Sequence, residues 1–489
     1  MAADGFGDRV AFGSRQRGLT YAGLHDQARR AAAWAGARGV EHIGLVDVNS
    51  EAVPILMFGS GVAGLPFVPV NYRLADAQLG AILARIAPAV VVVEEPVLAR
   101  VSPIDGIELI TRGAFLDELE RVDPGDTNGF ADPEDTAILL FTSGTTGEPK
   151  AAVLRHKHLT SYVIGTVEFM GAGKDEAALV SVPPYHIAGA SAVLTSLYAG
   201  RRIAYLSGFT PEAWVAAARD EAVTQAMVVP TMLGRILDVL ERDGERLPRL
   251  QHLSYGGGRM PVPVIERALT LLPHVDFVNA YGLTETSSTI AVLGPKEHRD
   301  AVASDDPVVR RRLGSVGRPL PTLEVEIRDE EGKPVEPGGL GELWVRGEQV
   351  AGEYLDRSAA TETGWFPTRD SGFLDDDGYL YLTGRLDDVI VRGGENMSPG
   401  EIEDVLVAHP SVADAAVVGV PDTEWGEAVV AAVVLMEGST TTRPELEDWV
   451  RSRLRSSKTP ERIEFRQTLP YNDMGKLLRR VLKAELAAD

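Results

Sequence analysis

The chain has 489 residues, several times the length of an ordinary domain, so we expect more than one domain. Hydrophobic residues make up 44% and charged residues 24%, a globular composition that excludes a disordered chain. The 71 acidic residues outnumber the 48 lysines and arginines, which argues against a nucleic-acid-binding protein, and the absence of cysteine excludes disulfides and thiolate metal sites.

The N-terminal part was searched for signal and membrane segments. The first nine residues carry Asp4, Asp8 and Arg9 without an apolar run, so no secretory signal is expected. Residues 52–72 form a long uncharged stretch, but prolines and glycines interrupt it. We therefore predict a buried helix that runs into a strand, and a cytoplasmic protein without integral membrane association.

The first two-thirds of the chain alternates short apolar runs with longer amphipathic ones. Continuous apolar runs are typical of buried parallel strands, and they occur at residues 137–141, 226–229, 253–255 and 275–278. Helical spacing separates them at residues 211–220 and 264–272. This pattern predicts a largely parallel sheet that is covered by helices on both faces.

The last third of the chain changes pattern twice. From residue 317 to residue 384, short alternating runs broken by Gly and Pro predict a small antiparallel, barrel-like β region. Further on, Ser398 and Pro399 predict a helix start with Ser398 as the cap. Two strands and a helix are then expected at residues 415–420, 428–436 and 444–454.

These patterns together predict an α/β fold in two unequal domains. The large N-terminal domain, residues 1–385, is expected to hold parallel sheets covered by helices, together with the β region. The C-terminal domain, residues 386–489, is expected to be small, of α+β type and mobile.

The segment from Thr142 to Lys150 directly follows the strand predicted at residues 137–141. Its glycines let backbone N–H groups approach a ligand, its hydroxyls donate hydrogen bonds, and its lysine neutralises charge, so the segment favours a phosphate cradle. It lacks the order of a Walker loop, and a polar surface turn is the alternative. The candidate phosphate-binding residues are Thr142, Ser143, Gly144, Thr145, Thr146, Gly147 and Lys150.

The same loop resembles the signature loop of the adenylate-forming superfamily, which includes acyl-CoA synthetases, peptide-synthetase adenylation domains and firefly luciferase. Other segments resemble that family in the same order along the chain. They are residues 181–189 (SVPPYHIAG), 281–285 (YGLTE), 368–373 (TRDSGF), 384–390 (GRLDDVI), 393–396 (GGEN) and 472–476 (NDMGK). Together they extend over nearly the whole chain, and the type that the sequence resembles is an acyl-CoA synthetase.

The resemblance implies a site for ATP and AMP. Asp370 and Arg385 are implied to bind the ribose and a phosphate, and Tyr281 is implied to pack on the adenine. A run of three glycines is implied to form the opposite wall. The other residues implied to contact the nucleotide are Gly256, Gly257, Gly258, Asn279, Ala280, Gly282 and Thr284.

The resemblance also implies the reacting groups. Glu285 is implied to hold Mg²⁺, a hard cation that a carboxylate suits, and Lys476 is implied to reach both the substrate carboxylate and the α-phosphate. Thr142 and His186 complete the implied catalytic set, with His186 at the acyl end of the pocket. A purely structural histidine is the alternative for His186.

A hinge and an acceptor side are implied in the same way. Asp387 is implied to be the hinge about which the C-terminal domain swings between two half-reactions. Gly393 and Gly394 are implied to line a tunnel for the pantetheine of coenzyme A, where a missing side chain lets the thiol approach. Trp425 is expected in the core of the small domain, with support of the acceptor side as the alternative.

Two positions depart from the family pattern. Arg369 stands where the family usually has glycine, which is expected to shift the loop that carries Asp370. Ala151 and Ala152 replace the glycine that commonly follows the loop lysine. Acyl specificity and fine nucleotide geometry are therefore in question, whereas the reaction class is not.

The implied reaction is ATP-dependent ligation of a carboxylic acid to coenzyme A, through an acyl-adenylate and pyrophosphate, and then acyl-CoA and AMP. The pocket segments are mostly small or apolar, which favours an aliphatic or aromatic acid. Alternative acceptors stay open: a carrier-protein thiol, an amine or another nucleophile. A nucleotide-binding sensor without catalysis is a third hypothesis, and the resemblance also implies a homodimer.

Overall fold

A computed structural model describes residues 1–125, 131–142, 149–472 and 477–487. Within these residues the chain is a mixed α/β protein whose strands form four sheets. None of the helices in the described ranges combines the length and the apolar character that crossing a membrane requires.

The helices are distributed along the whole described chain. They are α1 (Ala2–Phe6), α2 (Tyr21–Gly36), α3 (Ala52–Ala63), α4 (Asp76–Arg85), α5 (Glu95–Leu98), α6 (Arg112–Leu119), α7 (His156–Thr166), α8 (Ile187–Tyr198), α9 (Pro211–Asp220), α10 (Pro230–Asp243), α11 (Val262–Leu271), α12 (Pro295–Ala303), α13 (Pro307–Arg311), α14 (Pro399–Val407), α15 (Arg443–Arg451) and α16 (Arg479–Ala487).

The strands alternate with these helices up to α11 and dominate the following hundred residues. They are β1 (Val10–Gly13), β2 (Gly18–Thr20), β3 (His42–Val46), β4 (Phe67–Pro69), β5 (Ala89–Val93), β6 (Ile107–Thr111), β7 (Thr136–Thr142), β8 (Lys150–Arg155), β9 (Ala177–Val180), β10 (Arg202–Tyr205), β11 (Gln225–Val228), β12 (His252–Gly256), β13 (Asp276–Leu283), β14 (Ser288–Leu293), β15 (Arg318–Pro319), β16 (Glu324–Arg328), β17 (Gly341–Arg346), β18 (Glu353–Tyr354), β19 (Arg357–Ser358), β20 (Phe366–Leu374), β21 (Leu380–Arg385), β22 (Ile390–Arg392), β23 (Glu395–Met397), β24 (Val412–Asp422), β25 (Gly426–Leu435) and β26 (Arg462–Phe465).

Two large sheets form the N-terminal part. One has the spatial order β15-β14-β13-β12-β11-β9-β10-β1-β2, and the other has the order β19-β18-β8-β7-β4-β3-β5-β6. Their central strands are parallel, and the antiparallel pairs lie towards the ends. Every residue of β5 is buried, as a strand covered on both faces requires. The predicted α/β fold of parallel sheets covered by helices is confirmed.

Particular elements agree closely with the sequence patterns. Helix α9 has the bounds expected at residues 211–220, and the apolar run at residues 137–141 lies inside β7. The long uncharged stretch is a buried helix, α3, followed by strand β4. It belongs to the core of the protein, as its prolines and glycines indicated.

The segment between residues 317 and 384 contains a four-stranded antiparallel sheet with the order β16-β17-β20-β21. Leu343, Val345 and Phe366 are buried in its own hydrophobic core. Strand β20 departs from regular pairing with both neighbours: Trp344 of β17 lies opposite Pro367, whereas Glu342 lies opposite Ser371. The extra residues form a bulge between Pro367 and Ser371.

The C-terminal part has a sheet with the order β23-β22-β25-β24, and β26 pairs with β25. Alternate residues of β24 pack on opposite faces, so Val417 contacts the core under α14 and α15 while Val418 contacts the core under α16. Ser398 is the N-cap residue of α14, as predicted, and its side chain makes no capping hydrogen bond to the helix. Its hydroxyl donates instead to the carbonyl oxygen of Thr383 in β21, which ties α14 to the β region.

Candidate active site

The glycine run lies at the carboxyl end of β12, beside β13. These two strands are parallel, and Gly256 lies opposite Ala280. A side-chain carbon at Gly256 would approach the carbonyl oxygen of Ala280 to 2.3 Å, so only glycine fits this close backbone contact. Gly257 and Gly258 then extend past the sheet edge as an exposed stretch without side chains. Because they have no side chains, they leave space at the end of β12, beside the part of β13 that carries Tyr281.

Tyr281 and Asp370 are joined by a direct hydrogen bond. The Tyr281 hydroxyl donates to Oδ2 of Asp370 over 2.5 Å, and Nε of Arg385 lies 2.8 Å from Oδ1 of the same carboxylate. Burial and the adjacent carboxylate raise the pKa of Tyr281 well above its ordinary value, so the hydroxyl stays protonated and keeps donating. The structure therefore brings together the three residues that the resemblance assigned to adenine and ribose.

Asn279 and Ala280, two further residues of β13 that are expected near the nucleotide, differ in what they contact. Asn279 is buried, and its amide donates to the carbonyl oxygen of Ser315 over 3.1 Å. That bond fixes β13 against the segment before β15. Ala280 contributes its backbone to the contact with Gly256. Both residues shape the strand end rather than present polar groups at its edge.

The bulge in β20 places Asp370. Arg369 adopts φ +64°, in the left-handed region where glycine is usual, and the backbone N–H of Asp370 donates to the Thr368 hydroxyl over 3.1 Å. The expected shift of the loop is not seen in the contacts of Asp370, because its carboxylate still meets Tyr281 and Arg385. Arginine thus takes the backbone conformation that glycine would take here.

Glu285 lies in a tight turn just after β13. Residues Thr284–Thr286 form a single 3₁₀ turn, and the carbonyl oxygen of Glu285 accepts from the backbone N–H groups of Ala351 and Gly352. Gly282 is obligatory before this turn, because a side-chain carbon there would lie 1.6 Å from the carbonyl oxygen of Ser288. These backbone contacts hold Glu285 in place and so fix the point from which its carboxylate extends.

Tyr354 links Glu285 to the phosphate-loop strand. Its hydroxyl donates to Oε1 of Glu285 over 2.6 Å, and the Lys150 ammonium lies 5.7 Å from its ring centroid. Tyr354 also pairs with Ala152 of β8, the strand that begins at Lys150. Sequence analysis missed Tyr354 because it lies 69 positions from Glu285 and outside every segment that resembles the family. Only the folded chain reveals the contact.

The remainder of the phosphate loop and the C-terminal lysine motif are only partly described. Thr142 and Lys150 lie opposite each other at the ends of the antiparallel strands β7 and β8. Ser143, Gly144, Thr145, Thr146 and Gly147 lie outside the described residues, and so does Lys476.

His186 is the residue immediately before α8, and its ring lies 4.6 Å from that of Tyr185. Helix α8 is joined to the Glu285 turn, since the hydroxyls of Ser191 and Ser288 are 3.3 Å apart. His186 therefore stands at the start of the helix that borders the turn. The hydroxyl of Ser287, in that same turn, is buried and has no hydrogen-bond partner among the described residues.

The predicted hinge and acceptor residues follow β21 along the chain. Asp387 is in the short 3₁₀ turn Leu386–Asp388, and Gly393 and Gly394 are exposed between β22 and β23. Trp425 is 45% exposed, so the expectation that it belongs to the core is wrong. The Gly393 N–H donates to the Trp425 carbonyl oxygen over 2.7 Å, which supports the alternative placement beside the acceptor loop.

Glu285 fits the Mg²⁺ that the resemblance implies. Oε1 is held by Tyr354, which leaves the carboxylate a second oxygen for a hard cation. Within the described ranges, no cluster of three or more histidine or acidic side chains is placed to hold a metal by itself. This agrees with a magnesium ion that takes one protein carboxylate and fills its other positions with phosphate oxygens and water.

Comparisons with known proteins identify the family. A model of the AMP-binding enzyme matches residues 1–355, and a model of the AMP-binding enzyme C-terminal domain matches residues 401–476. The chain belongs to the AMP-binding enzyme family. The predicted superfamily, adenylate-forming enzymes of the acyl-CoA synthetase type, is confirmed.

Relatives of this AMP-binding enzyme match it nearly end to end. Feruloyl-CoA synthase from Amycolatopsis sp is 34% identical over 94% of this chain and 92% of its own length. The fatty acid–[acyl-carrier-protein] ligase ScoC from Streptomyces coeruleorubidus is 31% identical, with coverage of 97% and 92%. The structure of o-succinylbenzoate CoA synthetase (MenE) from Bacillus subtilis with its acyl-adenylate intermediate is similar, with a TM-score of 0.84, 27% identity and coverage of 98% and 96%.

Proposed function

We propose that this AMP-binding enzyme is an ATP-dependent carboxylic acid–CoA ligase that works in two steps. The reaction class, AMP-forming acid–thiol ligation with ATP, Mg²⁺ and coenzyme A, is confirmed by the family match and its relatives. The residue roles below are our proposal. The observation that carries them is the network at the end of β13, where Tyr281 meets Asp370 four residues before Glu285.

The nucleotide is proposed to occupy the edge formed by β12, β13 and β20. Tyr281 presents its ring beside the open glycine stretch, and Asp370 has the acceptor oxygens that a ribose diol requires. Arg385, ion-paired with Asp370, is placed to shift one guanidinium donor to a phosphate oxygen. The phosphate loop that begins at Thr142 supplies further donors.

In the first step, an oxygen of the substrate carboxylate attacks the α-phosphorus of ATP. A new P–O bond forms, the bond to the bridging oxygen of the β-phosphate breaks, and pyrophosphate leaves. Glu285 would hold Mg²⁺, which when bound would supply positive charge to the phosphate groups. Lys150 and Lys476 neutralise the charge that develops on the α-phosphate and the attacking carboxylate, because two anions repel each other as they approach.

In the second step, the C-terminal domain, residues 386–489, is proposed to rotate about Asp387 relative to residues 1–385. The rotation brings Gly393 and Gly394 towards the acyl-adenylate. The thiol of coenzyme A loses its proton to water, its sulfur attacks the acyl carbonyl carbon, and the bond from that carbon to the phosphate oxygen breaks, so that AMP leaves with the electron pair. Exposed Trp425, with the Arg392 guanidinium 5.1 Å from its ring, offers a flat surface beside the acceptor loop.

An aliphatic or aromatic acid is the proposed substrate. Helix α8, which begins directly after His186, meets the chain just after Glu285 where the Ser191 and Ser288 hydroxyls are 3.3 Å apart, and the first two turns of α8 consist mostly of small residues (IAGASAV). Because the reaction consumes ATP and coenzyme A, we also place the enzyme in the cytoplasm. A homodimer is the proposed assembly.

A carrier-protein thiol is the second candidate acceptor. The similarity to ScoC, whose name gives an acyl carrier protein as its acceptor, is as extensive as the similarity to the CoA ligases. An exposed acceptor loop at Gly393 would suit a phosphopantetheine arm carried by either molecule. Adenylation of the acid is common to both candidates.

The test combines two assays. Acid-dependent exchange of radiolabelled pyrophosphate into ATP, run over short, medium, long and aromatic acids, identifies the acid. AMP release with that acid is then measured with and without coenzyme A. We expect coenzyme A to increase AMP release and acyl-CoA to form. AMP release that does not depend on coenzyme A, with an acid that supports exchange, would favour the carrier-protein candidate. A lack of exchange with every acid tested would contradict adenylation.

A further inference from the structure

Arg369 has an unfavourable backbone conformation and a well-defined set of contacts. Its φ of +64° lies in the left-handed region, which is strained for a residue with a side chain and free of strain for glycine. Its backbone N–H donates to Oε1 of Glu342 over 3.1 Å. Nothing in nucleotide binding requires an arginine side chain at this position, because the bulge itself places Asp370.

The Arg369 side chain reaches the proposed hinge. Its Nη2 lies 2.8 Å from Oδ1 of Asp387, which is the carboxylate at the centre of the turn Leu386–Asp388. Glu342 is the second acidic group near the guanidinium, at 4.0 Å from Nη1. Arg369 therefore connects the strand that carries Asp370 with the turn about which the C-terminal domain is proposed to rotate.

In the structure the C-terminal domain is arranged with the acceptor loop at the surface. The ion pair between Arg369 and Asp387 is formed in this arrangement. Gly393 and Gly394 are exposed to solvent in this arrangement. Thioester formation requires the loop to approach the nucleotide site, and that rotation changes the backbone of the hinge turn. The distance between Arg369 and Asp387 must then change as well, because Arg369 stays with β20.

We propose that Arg369 is a positioning residue that acts through Asp387, holding the C-terminal domain in the arrangement in which the acceptor loop is exposed. The inference rests on the proposed hinge. The ion pair joins the hinge turn to β20, the strand that carries Asp370, so the position of the hinge turn depends on that strand. Arg369 thus favours the arrangement before thioester formation, and the pair breaks when the domain rotates.

The expected size of the effect follows from exposure. The side chains are 53% exposed for Arg369 and 42% for Asp387, and surface pairs of this kind change an equilibrium by up to about fivefold. Arg259 and Asp404 form another ion pair between the glycine loop and α14, so Arg369 does not hold the arrangement alone. Loss of Arg369 should therefore lower the fraction of molecules in this domain arrangement without eliminating the arrangement.

The test measures the domain arrangement directly. Because the chain has no cysteine, Val308→Cys and Met436→Cys give two exposed labelling sites, one in each part. Distances between spin labels at these sites are measured in otherwise unchanged protein, in Arg369→Gln and in Arg346→Gln. Arg346 is the matched control, since it forms a surface ion pair with Glu324 on neighbouring strands of the same sheet.

We expect Arg369→Gln to move about two- to fivefold more of the population into a second distance range, while Arg346→Gln leaves the distribution unchanged. In kinetics, thioester formation from supplied acyl-adenylate should rise and pyrophosphate exchange should fall by a similar factor. Arg369→Gly separates strain from pairing: it should raise Tm by removing the left-handed side chain, yet shift the distances as Arg369→Gln does.

An unchanged distance distribution in both Arg369 variants would overturn the proposal, as would an equal shift in the Arg346 control. Both outcomes are independent of the proposed function, because the distances are measured without substrates. A failure of the acid–CoA ligase assignment would appear instead as missing pyrophosphate exchange in protein with the native arginine.

Discussion

At the scale of single residues, the Glu285 carboxylate depends on a neighbour that is remote in the sequence. Tyr354 holds Oε1 and so aims the second oxygen of the carboxylate. Burial and the adjacent carboxylate raise the Tyr354 pKa, so the phenol remains a donor over the working pH range. A carboxylate held at one oxygen loses less conformational freedom when it binds a cation.

Tyr354→Phe should therefore weaken the use of Mg²⁺. A hydrogen bond to a charged group contributes about 1.5–3 kcal/mol, which corresponds to a loss of about ten- to a hundredfold in kcat/KM at limiting metal. Pyrophosphate exchange is measured against Mg²⁺ concentration, and binding of Mn²⁺ with ATP is followed separately by electron paramagnetic resonance. Tyr205→Phe is the control, since that buried hydroxyl has no partner among the described residues. Equal metal dependence in both variants would contradict the assignment.

A second residue-scale prediction concerns stability. The Asp47 carboxylate is completely buried and is ion-paired with Arg112 at 2.8 Å. Arg112→Leu leaves that charge without its cation, so we expect the free energy of unfolding to fall by about 3 kcal/mol, at the low end of the usual range because Arg112 is partly exposed. Denaturant unfolding checks this. The double variant Asp47→Leu/Arg112→Leu should recover most of the loss, and failure to do so would mean that packing, not charge, dominates.

At the scale of elements, sequence patterns located strands and helices better than they located contacts. A continuous apolar run marks β7, because a strand buried on both faces needs apolar side chains on both faces. The bulge in β20 has no such signal, since it depends on the pairing of β20 with both neighbours. Trp425 was misplaced for a related reason: hydrophobicity predicts burial on average, and a tryptophan beside an acceptor loop is an exception.

A buried histidine in helix α7 should make the stability of the protein depend on pH. His158 is buried near the start of α7 and accepts the backbone N–H of Arg155 at Nδ1, so burial lowers the His158 pKa from 6.5 to about 4. The folded value is below the unfolded value, so stability from this group is complete above pH 6.5 and is lost as pH falls towards 4. Denaturant unfolding at pH 7.5 and pH 5 should show the loss.

His158→Gln is the informative variant, because it removes the titrating group while keeping a polar side chain. We expect it to be less stable than the native protein at pH 7.5 but to lose less of its free energy of unfolding on going to pH 5. His25→Gln, at an exposed position of α2, serves as the control and should show the native pH dependence. A native-like loss in His158→Gln would place the acid sensitivity elsewhere.

At the scale of the whole molecule, the site is divided between parts of the chain that the sequence alone does not bring together. The motifs predict candidate residues for the site, because their order and spacing resemble the family. They did not predict that Asp370 would be paired with Tyr281 and Arg385 on two different sheets. That arrangement depends on how the β region packs on the end of β13, which is a property of the tertiary fold.

If Lys476 serves adenylation and the acceptor loop serves thioester formation, a variant of each should slow a different half-reaction. Lys476→Ala removes a charge stabiliser of the first step, so pyrophosphate exchange should fall by about 10²–10³-fold while thioester formation from supplied acyl-adenylate changes much less. Gly393→Ala should do the reverse. Its new methyl group would lie 3.2 Å from the Trp425 ring at a left-handed φ of +57°, crowding the acceptor loop without touching the nucleotide site.

The control for Gly393→Ala is Gly438→Ala, which has a similar left-handed backbone, φ +78°, and open space around the added carbon. It carries the same backbone penalty in the C-terminal part and should leave both half-reactions unchanged. If Gly393→Ala slowed adenylation as much as thioester formation, the acceptor loop would have to serve both steps. One fixed arrangement of the domains would then account for the chemistry better than rotation about Asp387.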